Sequence, residues 1–399
     1  MPLVCATDDG ECQSRATEMK HVFAFLIVIH ALILTLGFCK AFNFATLEAL
    51  QPITRPMGLL WLAAALLFVV AVCMLYALPQ WWWLPAGLAL VGSTIAIVAA
   101  WSDAKFGLIP NVIILMPAIV AALSVAPWSF QARFDRDVAE GLAHGPANVP
   151  VVADADIASL PAPVQRYLRF AGAVGKPRVW NYRLRYEGGL RSAPDKAFTV
   201  GTTHQHSFVN PPARLFLVHM SMYGVPVEAY HRYVGPEATF NVKLASLVQV
   251  VDAKGPEINR AETVTLFNDM WLLAPSTLIA ARIVWEEVDP LTVRATWTHA
   301  GNAISATLSF DASGALTNFT SDDRARAEDL KNMGATEMSA GSAVGSGNRL
   351  RWSTPIDGWR DFGGRKLPAT AKAVWHLPKG DFVYGHFEIV DATYNVSTR

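Results

Sequence analysis

The sequence predicts an α+β protein: a four-helix transmembrane bundle followed by a β-rich domain, built as a curved antiparallel sheet or half-barrel with one or two packed helices. Apolar residues make up 52% of the chain and charged residues only 17%, which is unusual for a wholly soluble protein. The apolar excess is concentrated before residue 130, whereas apolar and polar residues alternate from residue 178 onwards, as in strands with one buried face. With 33 basic and 33 acidic residues the formal net charge is zero, so nucleic acid is not a predicted partner.

Residues 1–20 are a polar leader without periodicity, which we expect to be disordered. Residues 21–128 form the predicted transmembrane module, because a helix that crosses about 30 Å of hydrocarbon needs about 20 apolar residues. Trp81-Trp82-Trp83 and Trp101 bracket the third apolar run, as aromatic belts do at the two membrane interfaces. The predicted spans are residues 22–39, 57–78, 81–101 and 106–128.

Three polar residues of this module stand out. His30 lies in the middle of the first span, where an ionisable side chain is costly and often functional. The alternative is a neutral imidazole hydrogen-bonded to a neighbouring helix through Ser93 or Thr94. Asp103 and Lys105 lie at a helix end, and residues two apart do not face each other on a helix. We therefore interpret them as two separate interface anchors.

Several stretches of the first part resemble a DoxX-like four-helix membrane module. They are His30-Ala31-Leu32-Ile33, Gly37-Phe38-Cys39-Lys40-Ala41-Phe42, Arg55-Pro56-Met57-Gly58-Leu59 and Trp101-Ser102-Asp103-Ala104-Lys105-Phe106-Gly107. In some bacterial proteins a soluble domain of unknown function follows such a module. Two stretches of the second part resemble that domain, namely Leu160-Pro161-Ala162-Pro163-Val164-Gln165-Arg166-Tyr167-Leu168-Arg169 and Val374-Trp375-His376-Leu377-Pro378-Lys379-Gly380-Asp381-Phe382. The resemblance implies an uncharacterised protein of the bacterial inner membrane. The DoxX name derives from a quinone-linked oxidoreductase subunit, but similarity of the helices does not transfer that activity.

Residues 129–157 are predicted as a linker, because residues 141–156 are rich in Gly, Pro, Ala and Asp and lack helical periodicity. The soluble domain is expected to occupy residues 158–399 and to begin with a short helix, with Ser159 as its N-cap and Pro161 in its first turn. Its apolar face carries Leu160, Val164, Tyr167 and Leu168, and its other face carries arginines. This helix either rests on anionic headgroups or braces the sheet that follows.

The second part of the chain is dominated by strand patterns. In residues 178–187 aromatic and aliphatic residues alternate with polar ones, and Gly188-Gly189 then breaks the strand. Turns rich in Gly, Pro, Asn and Asp separate many of the later candidates. Further strands are predicted at residues 197–208, 213–222, 226–234, 238–251, 281–288, 291–299, 302–311, 314–321, 349–354, 367–376 and 381–395.

One helix is predicted within this series, at residues 257–273. Its apolar stripe has i, i+3, i+4, i+7 spacing, with Glu262, Thr265 and Asp269 on the opposite face. A curved antiparallel sheet with this helix against its concave face is the favoured architecture. A closed lipocalin-like barrel and a helix-grip fold are the alternatives. Residues 326–348, rich in Gly, Ser and Ala, are predicted as a mobile loop.

No catalytic residue is predicted, since the sequence contains neither a GxSxG nucleophile elbow nor a GxxxxGK phosphate loop. The best metal-ligating candidates are His204 and His206, which would share one face of a strand. Zinc needs three or four ligands, and the others would have to be histidines distant in sequence. Those are His219, His231, His299, His376 and His386. The alternative is a set of histidines spread over the sheet, hydrogen-bonded or exposed.

Aromatic residues recur through the predicted sheet. A curved sheet with a large aromatic inner surface can hold an apolar ligand, whereas the simpler interpretation makes the same residues core. The candidate ligand-binding residues are Trp180, Tyr182, Trp271, Trp285, Trp297 and Trp375.

These patterns favour a non-enzymatic, multi-pass protein of the inner membrane whose β-rich domain binds a lipid-like or other apolar ligand at the membrane surface. The predicted partners are the lipid bilayer and an apolar small molecule, and no cofactor is predicted. Positive charge is nearly balanced between the two sides of the module, and we place the termini on the cytoplasmic side. The alternatives are a metal-dependent enzyme, a quinone-linked redox partner and a purely structural interaction module.

Overall fold

The computed structural model describes residues 9–44, 51–222, 225–325 and 349–397, and of residues 9–16 only the backbone. The chain divides into two compact units, a helical one that is mainly Thr7–Ala132 and a β-rich one that is mainly Arg133–Leu244 and Val248–Arg399. A helical first part followed by a large antiparallel sheet confirms the predicted α+β class. The predicted mobile loop at residues 326–348 lies outside the described residues.

The helical unit contains α1 (Asp9–Ala41), α2 (Arg55–Ala77), α3 (Trp83–Ala99), α4 (Trp101–Ala104) and α5 (Leu108–Ser124), with a 3₁₀ turn at Lys105–Gly107. In the described part of the chain, three helical stretches are long and apolar enough to cross a membrane, namely Thr17–Ala41, Arg55–Ala77 and Trp101–Ser124. The apolar helix α3 is shorter, at 17 residues. Residues 1–20 were predicted to be disordered, but α1 already begins at Asp9. No proline separates Asp9 from the first apolar run, so the helix can extend back to it.

Small residues bring the helices of this unit together. Ala64 and Ala71 of α2 and Ala86 and Ala89 of α3 are all buried, and small side chains let the backbones of neighbouring helices approach closely. At the contact between α1 and α2, a Cβ added at Gly58 would lie 2.3 Å from the Cβ of Ala41. Glycine is therefore required at that crossing.

The β-rich unit is organised around one antiparallel sheet, which has 14 strands in the described residues. Its strands are β1 (Asn181–Leu190), β2 (Thr199–Val209), β3 (Pro212–Met222), β4 (Val225–Val234), β5 (Glu237–Leu244), β6 (Val248–Lys254), β7 (Ile283–Asp289), β8 (Thr292–His299), β9 (Asn302–Phe310), β10 (Leu316–Ala325), β11 (Arg349–Ser353), β12 (Ile356–Phe362), β13 (Arg365–Leu377) and β14 (Gly380–Tyr394). Three helices accompany them, α6 (Phe130–Ala143), α7 (Asp154–Ile157) and α8 (Ala162–Phe170), and a fourth, α9 (Pro256–Leu272), separates β6 from β7.

The spatial order of the strands is β6-β5-β4-β3-β2-β1-β14-β13-β11-β10-β9-β8-β7, with β12 paired to β13. Helix α9 contacts both β5 and β10, which are eight strand spacings apart in that order and would be about 38 Å apart in a flat sheet. The sheet must therefore curve around α9. Since β6 and β7 end the strand order without a further strand neighbour in the described ranges, the sheet is open, unlike the closed-barrel alternative.

Two helices outside the strand series pack onto the sheet. In α8, Val164, Tyr167 and Leu168 are fully buried, and the hydroxyl of Tyr167 donates to the backbone carbonyl of Trp271. The guanidinium of Arg166 donates to a backbone carbonyl of the same unit, so α8 acts as a brace. The N-cap of α8 is Pro161, two residues later than predicted.

Helix α6 occupies the first half of the predicted linker. Its Asp137 carboxylate accepts hydrogen bonds from Tyr230 at 2.7 Å and from Arg232 at 2.9 and 3.1 Å, and Phe134 meets Tyr230 edge-on.

The observed strands differ from the predicted ones at two places. The single strand expected at 238–251 is two strands, β5 and β6, joined by a turn in which Ala245 and Ser246 have positive φ, and β12 was not predicted.

Candidate functional site

A cavity of about 650 Å³ lies in the β-rich unit, where α9 faces the inner side of the curved sheet. Pockets that hold small molecules typically measure about 300–1,000 Å³, so its size suits a ligand. The described residues that line it come from both halves of the sheet and from α9. Folding the sheet around one helix is therefore what creates the cavity.

Most of the wall is apolar, and much of it is aromatic. Phe216, Tyr186 and Phe387 form a triangle of rings with centroids 6.0–6.3 Å apart, and Trp375 stacks on Tyr384 at 5.9 Å. Methionine and aliphatic side chains also line the cavity. The aromatic lining residues are Tyr186, Phe216, Phe240, Trp352, Trp375, Phe382, Tyr384 and Phe387.

Helix α9 adds a strip of polar side chains to this largely apolar wall. Its apolar side, with Val264, Phe267 and Trp271, is 0% exposed and packs into the core of the sheet. Its other side presents Glu262, Thr265, Asn268 and Asp269 to the cavity, and these residues are buried as well. The helix is thus buried all round, and the polar face that the sequence placed opposite the apolar stripe lines the cavity.

Arg214 of β3 joins the two carboxylates of this strip. Its Nε donates to Asp269 Oδ2 at 2.7 Å and its Nη1 to Glu262 Oε2 at 3.4 Å. Gln205 of β2 donates to the same oxygen of Asp269 at 2.7 Å and accepts from the hydroxyl of Tyr186 at 2.8 Å. Charges removed from water need such compensation, and here the sheet provides it.

The two carboxyl groups differ electrostatically. Burial raises the pKa of Asp269 more than Arg214 and Gln205 lower it. Burial also opposes ionisation of Glu262, but the nearby imidazole of His231 and the guanidinium of Arg214 outweigh it and lower the pKa of Glu262 to about 2. Burial lowers the pKa of His231 more than its contact with Glu262 raises it. The strip therefore keeps one firmly ionised carboxylate, Glu262, beside a carboxyl that is easier to protonate.

The six aromatic residues suggested by the sequence separate into two groups. Trp375 lines the cavity. Trp271, Trp285 and Trp297 instead belong to the aromatic core on the side of α9 away from the cavity, where the rings of Trp271 and Trp285 are 5.8 Å apart. Tyr182 is buried against Tyr394 at 6.1 Å, and Trp180 is half-buried against Phe208 at 6.2 Å. Sequence reasoning missed Trp352 and Arg324 as lining residues, since period-two alternation gives a face but not the hollow it faces.

The suggested metal ligands lie on the other side of β2. Gln205 faces the cavity, so its neighbours His204 and His206 point to the outer face of the sheet. His206 is buried and stacks on Phe208 at 4.7 Å, while His204 is exposed and meets His219 at 6.2 Å. Burial, helped by Arg183, lowers the pKa of His206 to about 4. In the described ranges no group of three or more His, Cys, Asp or Glu residues could hold a metal ion.

The polar residues of the helical unit form a separate cluster. His30 Nε2 lies 2.8 Å from Asn111 Oδ1, and the amide of Asn111 donates to Ser93 and Thr94 at 3.0 and 2.9 Å. The histidine therefore bonds to a neighbouring helix through Asn111, with the two hydroxyl residues one step further away. Asp103 accepts from the backbone of Gln51 at 2.7 Å, and Lys105 lies over the Phe106 ring at 5.5 Å. Asp103 and Lys105 thus have different partners.

Comparison with known proteins gives a family and two distant structural likenesses. The model of DUF6544, a family of unknown function, matches residues 150–387, more than half of the chain. No curated protein matches the sequence. A DUF1329 family protein from Desulfovibrio piger is 11% identical, with a TM-score of 0.34, over 60% of this chain and 94% of that one. The lipoprotein LppX of Mycobacterium tuberculosis is 13% identical, with a TM-score of 0.15, over 40% of this chain and 86% of that one. TM-scores this low do not establish a common fold.

Proposed function

We propose that the β-rich unit of this chain, which belongs to DUF6544, a family of unknown function, binds a lipid-like, amphipathic molecule. The binding site is the cavity around α9. The observation that carries this proposal is the cavity itself, about 650 Å³ in volume, with an aromatic wall and one buried polar strip. Few polar groups in an apolar pocket fix the orientation of a ligand whose remaining surface is apolar. Such a pocket suits a molecule with a hydrocarbon body and a polar end.

The energetics favour this occupant over water. Burying a methylene group stabilises by about 0.8 kcal/mol, so ten methylenes of an acyl chain would gain about 8 kcal/mol before the entropy of binding is subtracted. Water beside the aromatic and aliphatic part of the lining would find no hydrogen-bond partners there, because those side chains offer none. The aromatic wall and the volume together therefore support a hydrocarbon ligand.

The membrane location belongs to the same proposal. We take α3, with 17 apolar residues, as a fourth span, because about 17–25 residues suffice to cross, and we keep the resemblance to a DoxX-like module, residues 21–128, as part of the proposal. Residues 158–399 would then be a soluble domain at the cytoplasmic face of a bacterial inner membrane. Protease accessibility of tags at both ends of the chain would test this: protection of one tag and digestion of the other in sealed vesicles would rule out four spans.

Ligand binding is tested by filling the cavity. Ala371 of β13 lines it, so Ala371→Trp places an indole in the space of the ligand. The full chain would be purified in detergent, and bound lipid quantified by organic extraction and mass spectrometry. We expect Ala371→Trp to lose most of the lipid that copurifies with the natural chain.

Ala303→Trp on β9 is the matched control, because Ala303 is exposed and lies outside the cavity lining. It should retain the lipid, which separates loss from the cavity from lipid bound around the apolar helices. Equal lipid content in both variants would contradict the proposal.

A further inference from the structure

The charges that line the cavity are unequal in number. Among the described lining residues five are basic and two are acidic, and both acids lie in the polar strip of α9 with Arg214 between them. Two of the basic residues have carboxylate partners of their own, Lys372 with Asp357 at 2.7 Å and Lys196 with Asp195 at 3.7 Å. The remaining basic residues are Arg191 and Arg324. An unbalanced positive lining favours an anion, and the positions of the remaining cations decide where it would bind.

Aromatic rings hold Arg324, in β10, in place, and its charge acts on Glu262 from beyond ion-pair distance. Its guanidinium lies over the rings of Trp352 and Trp375, at 4.5 and 5.3 Å from their centroids. Its Nη1 donates to the hydroxyl of Tyr384 at 2.9 Å, while its Nε is buried without a hydrogen-bond partner. Within the described ranges it forms no ion pair. A guanidinium has five N–H donors, so most of its capacity is unused.

Such an arrangement is typical of an anion-binding arginine. Stacking on aromatic rings fixes the plane of the guanidinium and leaves its edge available for paired hydrogen bonds to a carboxylate or phosphate. A buried donor without a partner is unfavourable, and an acceptor from a ligand would remove that penalty. Unlike Arg214, whose donors are taken by Asp269 and Glu262, Arg324 has donors to spare beside the aromatic wall.

Tyr384 adds a second donor at the same point. Its hydroxyl oxygen accepts from Arg324 at 2.9 Å and from the indole of Trp352 at 3.1 Å. With both donors directed at the oxygen, its own hydrogen must point elsewhere, and no acceptor for it occurs in the described residues. Arg324 and Tyr384 therefore present N–H and O–H groups side by side on the cavity wall.

We infer that Arg324 and Tyr384 bind the anionic headgroup, a carboxylate or a phosphate, of an amphiphile whose hydrocarbon chain lies along the aromatic wall. This inference rests on the proposed function. It narrows the class of ligand from lipid-like molecules in general to amphiphiles with one anionic headgroup. Arg191, which donates to the backbone carbonyls of Val383 and Pro194 at 2.7 and 3.0 Å, adds positive potential without competing for the same contact.

Paired probes of equal chain length test the headgroup. The full chain, delipidated in detergent, would be loaded with oleic acid against methyl oleate, and with oleoyl lysophosphatidic acid against monoolein, and bound molecules counted by native mass spectrometry. We expect the charged member of at least one pair to bind about tenfold more tightly than the neutral one, as hydrogen bonds to a charged group allow. A preference in the first pair alone identifies a carboxylate, and in the second alone a phosphate.

Substitutions at Arg324 and Tyr384 test whether these residues cause the preference for the charged probe. Arg324→Gln should abolish it while leaving the neutral probe bound as before, and Tyr384→Phe, which keeps the ring, should reduce it by about threefold. Arg351→Gln is the control, since Arg351 is exposed and paired with Asp322 at 2.9 Å, and it should keep the preference. Equal binding of charged and neutral probes to the natural chain, or a preference that survives in both variants, would overturn the headgroup assignment. Failure of all four probes to bind would instead refute the proposed function.

Discussion

The two sides of α9 are both buried, but one packs against aromatic side chains and the other faces a cavity. The core side, with Phe267 and Trp271, packs ring against ring and is fully buried. The cavity side, with Glu262 and Asp269, faces a hollow of about 650 Å³, and its carboxylates pair directly with Arg214. Aromatic content is high on both sides, so aromatic residues alone do not identify a ligand site. The difference lies in whether the facing space is filled by side chains or left open beside fixed polar groups.

The largest expected effect comes from removing the cation on the cavity side. Arg214→Met leaves Glu262 and Asp269 buried without their counter-ion, and breaking a buried pair typically costs about 3–5 kcal/mol. Denaturant unfolding of the full chain, followed by tryptophan fluorescence, would measure the loss. Arg351→Met breaks only an exposed pair and should cost less than about 1 kcal/mol. Similar losses in the two variants would mean that the polar strip is not a buried charge network.

A matched pair of phenylalanines compares the two sides directly. Phe267→Ala empties a filled site, with Trp297 stacked 5.4 Å away, and should lower the free energy of unfolding by about 3–5 kcal/mol. Phe387 lines the cavity and is only half-buried, so Phe387→Ala widens an existing hollow and should cost no more than about 2 kcal/mol. The same unfolding measurement serves both. Equal losses would show that the cavity wall is packed as tightly as the core.

The outer face of the sheet gives a smaller effect with a defined pH range. The pKa of His206 is about 4 in the folded chain, against an ordinary value near 6.5. The unfolded chain therefore takes up a proton on this histidine first, and stability falls as the pH drops from 6.5 to 4. His206→Gln should reduce this loss of stability by about 3 kcal/mol. The exposed His144, replaced in the same way, is the control, and parallel stability curves for His206→Gln and the natural chain would contradict the prediction.

The sequence predicted what depends on local periodicity and missed what depends on distant partners. The apolar stripe of α9 and the alternation of β14 follow from spacing alone, and both elements lie within one residue of the predicted positions. The ion network could not be foreseen, because Arg214 lies 55 residues before Asp269 and no local pattern pairs them. Strand β12 escaped because Gly358 and charged residues interrupt its alternation.

The start of the β-rich unit shows a signal that was present but overlooked. Phe134 and Val138 of α6 have i, i+4 spacing and are both buried, which is the pattern of an amphipathic helix. The Gly- and Pro-rich residues after it obscured the helix. The cavity was beyond sequence reasoning for a different reason, since a hollow depends on how far a sheet curves and not on which residues alternate along its strands.

Ligand binding in the cavity can be seen directly in a density map of the purified full chain. We expect elongated density along the aromatic wall of Phe216, Phe387 and Trp375, ending in a compact feature within hydrogen-bond distance of Arg324 and Tyr384. A cavity that contains only discrete water peaks, in a protein purified without delipidation, would contradict the proposed ligand binding.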